Sequence, residues 1–173
     1  IADKGFSGET ILIEPGSGFG TGTHATTQLC LKWIGKHLAK GTNILDYGCG
    51  SGILSIASHK LGAKTVLGID NDHQALRNAE RNKSLNSANI DLLHSNDYKI
   101  KMKFDIVIAN ILLKTIISLK DILLSSLKPK SKLLLTGILK DQALELINSF
   151  APEISLNIFD EKEDWLLFYG KKT

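Results

Sequence analysis

The sequence predicts an α/β fold: a mostly parallel sheet with helices on both faces, finished by an antiparallel hairpin. Three observations carry that prediction. Strand-like and helix-like segments alternate through most of the 173 residues, the pattern of helical crossovers between parallel strands. The apolar run Ile44-Leu45-Asp46-Tyr47 ends in Gly48-Cys49-Gly50-Ser51-Gly52, a strand that turns tightly into a helix. The last two strand-like runs, 154–159 and 165–169, are joined by the charged loop Asp160 to Asp164, a length that suits a hairpin rather than a crossover.

The elements follow in order. Cys30, Trp33, Ile34 and Leu38 fall on one face of an amphipathic helix that starts after a Gly/Thr-rich segment. A strand at 44–47 leads through the glycine turn to a helix from about Gly52 to Leu61. A strand over 64–69 ends at Asp70, and Asp72 can cap a helix from His73 to about Leu85 with Leu76, Ala79 and Lys83 on its inner edge. Short and buried strands follow at 89–93 and 104–109, the second ending at Asn110. Leu112, Ile116, Leu119, Leu123 and Leu127 keep helical spacing, and Pro129 sits where a helix stop belongs. A buried strand at 132–136 precedes a helix that Asp141 can cap, with Ala143, Leu144 and Ile147 on one face.

Composition narrows the class. The length suits one domain over 1–173, able to bury roughly 70% of its unfolded surface without staples. A net charge of +3, from 21 basic and 18 acidic residues, is too mild to argue for direct nucleic-acid binding. Cys30 and Cys49 show no metal spacing, so no metal is expected and a reducing, cytoplasmic compartment is. No apolar stretch reaches membrane-spanning length. The chain begins at Ile1 rather than Met, which reads as a processed piece or an excised domain.

The glycine turn is the candidate binding feature. The helix behind it directs free N–H groups at a ligand. Asp70 lies 18 residues after Gly52, where a carboxylate can accept both hydroxyls of a ribose. Dinucleotide turns read G-x-G-x-x-G; here the third glycine comes one residue early. Together with Asp46, that spacing resembles S-adenosylmethionine-dependent methyltransferases. The spacing and the terminal hairpin both disfavour a nicotinamide oxidoreductase, and the hairpin resembles the end of the seven-stranded, Rossmann-like methyltransferase sheet.

A more specific resemblance runs along nearly the whole chain. Phe19-Gly20-Thr21-Gly22-Thr23-His24-Ala25-Thr26-Thr27, then Leu45 to Ala57 around the glycine turn, Gly68-Ile69-Asp70, Ala109-Asn110-Ile111-Leu112, and finally Glu163-Asp164-Trp165 with Gly170-Lys171-Lys172 resemble, in order, the ribosomal protein L11 methyltransferase family. The resemblance implies methyl transfer from S-adenosylmethionine, leaving S-adenosylhomocysteine, to amines of a large-subunit ribosomal protein: lysine side chains and, in some members, the N-terminal α-amine. It implies that Thr27 and Gly48 meet the amino-acid end of the cofactor, and Gly50 in the same turn is a further candidate cofactor-binding residue. It implies that Asp70 holds the ribose, that Asn110 stands between cofactor and acceptor, and that Phe19 and Thr21 belong to a covering loop. Two departures stand out. Ala25 replaces a common proline, and the resemblance covers only the catalytic domain, with no counterpart of the family's N-terminal substrate-recognition domain.

The chemistry needs few protein groups. A sulfonium leaving group requires no metal or protein nucleophile, and positioning can supply most of the rate. An acceptor lysine must lose a proton, which from a pKa near 10.4 costs roughly 4.6 kcal/mol at pH 7; desolvation lowers that cost. The Asn110 side-chain oxygen could orient an amine by accepting its N–H; the bland alternative is a residue capping the next helix. Asn110-Ile111-Leu112 looks like a variant of the Asn-Pro-Pro-Tyr motif of amino methyltransferases without its aromatic, which favours a flexible amine over a base. His24 is a candidate proton acceptor or a loop stabiliser. Asp97 is a candidate adenine contact or a turn residue. Cys49 reads as a small turn residue, and Trp165 as hairpin packing. A methyltransferase for a small molecule or nucleic acid, and an inactive cofactor-binding module, are the competing readings.

Overall fold

A computed structural model describes residues 8, 10–14 and 22–173. The described chain opens with helix α1 (Ala25–His37) and continues as β1 (Asn43–Tyr47), α2 (Ile53–Lys60), β2 (Thr65–Asp70), α3 (His73–Leu85), β3 (Asp91–His94), β4 (Phe104–Asn110), α4 (Leu113–Ser118), α5 (Lys120–Ser125), β5 (Leu127–Leu139), α6 (Ala143–Phe150), β6 (Leu156–Lys162) and β7 (Trp165–Lys171). The strands form one seven-stranded sheet in the order β3-β2-β1-β4-β5-β7-β6. The first five run parallel; β7 is antiparallel to both β5 and β6.

The chain winds outward from β1 to β3, then returns to β4 on the other side of β1. The direction of winding therefore reverses between β1 and β4, and the crevice beyond the carboxyl ends of these strands is where open α/β sheets bind ligands. Register fixes what meets there. Tyr47 pairs with Ile69 on one side and Ala109 on the other, so the next residues, Gly48, Asp70 and Asn110, emerge side by side.

Apolar cores hold both faces of the sheet. On one, Phe104, Val107, Leu133, Leu135 and Phe168 pack with Ile116, Leu123, Leu146 and Phe150 of α4, α5 and α6. On the other, Ile44, Val66, Ile106, Ile108 and Leu134 pack with Cys30, Trp33 and Ile34 of α1 and Leu54 and Ile56 of α2. The central strands are buried on both sides, so they read as continuous apolar runs rather than alternating ones.

Several expectations shift. The leucine series from Leu112 to Leu127 is not one helix. It breaks at Leu119 into α4 and α5, Leu112 is exposed, and Leu127 already begins β5 opposite Phe104. The spacing of four continues across the boundary because the strand's first residue fills the same core. Pro129 lies inside β5 rather than beyond a helix. The β4–β5 register slips there, from Phe104↔Leu127 to Ile106↔Lys132, and a residue without an N–H is tolerated where a strand leaves its ladder.

Asp141 lies in a short 3-10 turn and does not cap α6; the side chain of Gln142 instead accepts the Leu139 N–H at 3.0 Å. The buried face of α6 is Leu146 and Phe150, with Leu144 73% exposed. On α3 the inner face is Ala75, Asn78, Ala79 and Asn82, one step from the predicted Leu76 and Lys83. The five-residue charged loop shrinks to Glu163-Asp164, because Lys162 pairs with Trp165. Asp160, Glu161 and Lys162 instead extend the outer strand, where charge discourages further strand pairing.

The α6 assignment has a simple check. Phe150→Ala should lower unfolding free energy by about 3–5 kcal/mol in urea denaturation, whereas Leu144→Ala should change it by less than about 0.5 kcal/mol.

Candidate functional site

The glycine turn is built from backbone bonds to the neighbouring strand. The N–H groups of Gly48 and Cys49 both donate to the Ile69 carbonyl, at 2.7 and 2.9 Å. The Gly50 N–H donates to Asp70 Oδ2 at 2.8 Å, and the Asp72 N–H to Asp70 Oδ1 at 3.0 Å. Gly48, Gly50 and Gly52 have φ of 81, 53 and 79°, a conformation that side chains rarely adopt. Asp70 is half-buried and oriented by two backbone donors. Each carboxylate oxygen retains a lone pair for a further donor.

Asp46 supports the turn from beneath. It is 1% exposed, and its Oδ2 accepts the Ser55 hydroxyl at 2.6 Å. Its Oδ1 is buried and meets no donor among the described residues. Burial, helped by the nearby Asp70 charge and opposed by the Ser55 bond, pushes its pKa up from 3.8 to about 6. Burial and the charges of Asp46 and Asp70 raise the Cys49 thiol well above its usual range, which keeps it protonated and supports a turn role rather than a nucleophile.

Asn110 emerges from β4 beside Gly48. It is half-buried, and its side-chain amide makes no hydrogen bond with another described residue. It does not cap the following helix: α4 has Leu112 as its N-cap, with no side-chain bond. Ile111 folds back over the site, with its N–H on the Thr136 carbonyl at 3.2 Å and its side chain against Gly48.

His24 is the N-cap of α1. Its Nδ1 accepts the Thr26 N–H at 3.3 Å and lies 2.8 Å from Thr26 Oγ1. These bonds commit Nδ1 as the acceptor and leave Nε2 to carry the proton in the neutral ring. The ring sits edge-on to Trp165 at 5.2 Å. That geometry gives His24 a helix-capping role at α1, and gives Trp165 a contact beyond the hairpin. Thr27 is buried in the first turn of the same helix. Gly22, just before it, faces Ile53 at the start of α2. Phe19 and Thr21 lie outside the described residues. Asp97 is exposed in a 3-10 turn after β3.

The sequence reading missed two groups. Asn82 is fully buried on α3; its Nδ2 donates to the Ser51 carbonyl in the glycine turn at 2.9 Å, and its Oδ1 accepts the Glu14 N–H at 2.8 Å. It thus ties the segment ahead of the Thr/His region to the turn. The signal was present: a polar residue three after Ala79, on the apolar face. His94 closes the far side. Its Nε2 faces the Asn71 carbonyl at 3.0 Å, its Nδ1 accepts the Asn96 N–H at 3.2 Å, and its ring stacks on His73 at 4.2 Å. Nothing in the spacing announces that pair, because the two histidines meet only when β2 and β3 are adjacent.

The state of Asp46 has a measurable consequence. Between 3.8 and about 6, the folded chain holds a proton on Asp46 that the unfolded chain has released. Stability from this group therefore falls as pH rises through that window and stays at its lower level above it. Asp46→Asn keeps an acceptor for Ser55 and removes the charge. It should be more stable than the parent by about 1–3 kcal/mol at pH 7.5, with the gap closing by about pH 4. Chemical denaturation at both pH values checks this; a less stable Asn variant at pH 7.5 would mean that the carboxylate is favourably solvated.

Comparison with known proteins converges on one family. The family model described as ribosomal protein L11 methyltransferase (PrmA) matches residues 6–173. Ribosomal protein L11 methyltransferases from Dechloromonas aromatica and Hahella chejuensis are each 40% identical, over 94% and 96% of this chain and 54% and 57% of their own length. The chain thus spans about half the length of these curated relatives. A crystal structure of ribosomal protein L11 methylase from Lactobacillus delbrueckii subsp. bulgaricus superposes with a TM-score of 0.86 at 32% identity, covering 95% of this chain and 86% of that one. A methyltransferase from Pyrococcus furiosus, at 20% identity and a TM-score of 0.78 over 94% of this chain and 89% of its own, shares the fold. This chain belongs to the ribosomal protein L11 methyltransferase family.

Proposed function

We propose that these residues form the catalytic domain of an S-adenosylmethionine-dependent protein N-methyltransferase acting on amines of a large-subunit ribosomal protein, in the cytoplasm. The supporting observation is the juxtaposition of Gly48, Asp70 and Asn110 at the reversal of strand order. A glycine turn, a fixed ribose acceptor and an unengaged amide thereby share one crevice. No helix among the described residues is long and apolar enough to cross a membrane.

The residues present fit the cofactor. The buried Asp46 Oδ1, which meets no donor among the described residues, and the side-chain-free turn at Gly48 and Gly50 suit a ligand that brings its own donors close to backbone. Asp70 offers ribose hydroxyls a charged acceptor whose direction is already fixed by Gly50 and Asp72. When bound, S-adenosylmethionine supplies an electrophilic methyl on a sulfonium. Thr27, Gly48 and Gly50 line the amino-acid end in this reading, and Phe19 and Thr21 belong to the cover.

Asn110 acts on the acceptor. Its side-chain oxygen accepts an N–H of the neutral amine, which leaves the nitrogen lone pair facing the methyl. No group here needs to ionise to form the bond. The lysine proton is lost before or during entry into the closed site, where desolvation favours the neutral amine. His24 caps α1 through Nδ1, the one lone pair of its neutral ring, so a proton-accepting role for His24 requires that cap to open.

The test begins with thermal stability. S-adenosylhomocysteine should raise the melting temperature and NAD should not; a shift with NAD alone would overturn the cofactor class. Asp70→Ala should weaken S-adenosylhomocysteine binding in calorimetry by roughly 2–4 kcal/mol, through loss of charged hydrogen bonds. Unchanged affinity would remove Asp70 from the site. Asn110→Ala should lower kcat for methylation of the ribosomal protein by at least about tenfold while leaving that affinity nearly intact. Equal turnover would sink its role.

A further inference from the structure

We infer that Gly137 is a positioning residue for the acceptor side of the site: a strand bulge centred on it seats the loop that carries Asn110. This inference rests on the role proposed for Asn110. It concerns a residue outside the glycine turn, one that belongs to no binding motif.

The bulge is explicit in the pairing. Along β5 and β7, Thr136 pairs with Leu167 and Ile138 with Leu166, so Gly137 is an extra residue with no partner. Its φ is +90°. On the other edge of β5, Thr136 pairs with Asn110 itself. Bulges of this kind re-aim a strand at its end. Here Thr136 Oγ1 donates to the Leu166 carbonyl at 2.7 Å, in a fully buried setting, and ties the bulge to β7.

The missing side chain makes room for backbone. A Cβ on Gly137 would lie 2.3 Å from the Ile111 carbonyl oxygen, 2.8 Å from its carbonyl carbon and 3.2 Å from its nitrogen. Rotating a side chain cannot relieve that overlap; the loop itself would have to move. On the opposite side a Cβ on Gly48 would lie 2.3 Å from Ile111 Cγ2, a contact with a side chain. Ile111 is thus gripped by two glycines, its backbone by Gly137 and its side chain by Gly48. Asn110 is the residue immediately before it. A displacement of about 1 Å at a reacting group can cost on the order of a hundredfold in rate.

The experiment compares Gly137→Ala with Gly41→Ala. Gly41 has a φ of +83° with no atom within 4 Å of a built Cβ, so it carries the same backbone strain without the contact. Three quantities are read: S-adenosylhomocysteine affinity by calorimetry, single-turnover methylation of ribosomal protein L11 at saturating cofactor, and the Asn110 side-chain and Leu112 backbone signals in ¹H–¹⁵N spectra. Gly137→Ala should lose at least about 30-fold in turnover with affinity within about threefold of the parent, and should move both signals. Gly41→Ala should do neither. Adding Ile111→Ala should relieve Gly48→Ala but not Gly137→Ala.

Turnover of Gly137→Ala within about twofold of the parent, equal losses of affinity and rate, or relief of both glycine variants by Ile111→Ala would overturn the inference. If Gly137→Ala does not fold, Thr136→Val loosens the same bulge and should lower turnover and move the Asn110 signal at unchanged affinity; an unmoved signal and rate overturn the inference. If the parent chain itself transfers no methyl to the ribosomal protein, the functional reading fails, while the spectra still decide: Asn110 signals moved by Gly137→Ala and not by Gly41→Ala support the seat, and unmoved signals refute it.

Discussion

The bond network between the glycine turn and the end of β2 is the constraint on which the site depends. Gly48 and Cys49 share the Ile69 carbonyl, and Gly50 reaches one residue further to the Asp70 carboxylate. A turn fixed this way cannot move independently of the adjacent strand tip. The Asp70 carboxylate and the backbone of the glycine turn are therefore one rigid unit. Preorganisation of this sort removes ordering cost from binding.

That unit is held from several directions by uncommon means. Asp46, a carboxylate in the core, braces it from below through Ser55, at the cost of desolvating a charge. Asn82 braces it from α3 through the Ser51 carbonyl and carries the connection onward to Glu14. Ile111 closes over it from β4, resting on Gly48 and Gly137. Buried polar groups in an otherwise apolar α/β core are expensive unless satisfied. Asp46 and Asn82, both buried, converge on this one turn at the carboxyl end of the sheet.

The remainder of the molecule positions that end. Two apolar layers hold the sheet from both faces, and the hairpin completes it beyond β5. The hairpin does more than finish an edge. Trp165 meets the His24 ring, and Leu166 receives the Thr136 hydroxyl that secures the bulge. The antiparallel addition thus reaches both the start of α1 and the strand end beside Asn110, two places that a purely parallel sheet would leave without that support.

By itself the sequence determined the α/β class, a segment of each of the seven strands, the glycine turn, and the places of Asp70 and Asn110 at strand ends. These were legible because they depend on local chemistry: apolar runs, a helix-capping Asp72 and glycines at a required turn. Tertiary structure alone decided the rest. Periodicity could not tell that Leu127 belongs to a strand, since burial beside Phe104 repeats the helical spacing by coincidence. It could not place Leu144 outside the core, because one step of register on a helix turns a side chain by about 100°. Neither the His73–His94 stack nor the seat at Gly137 has any local signature; each arises from segments brought together by strand order. Pairing between distant segments is a property of the whole packed sheet, and no window along the chain contains it.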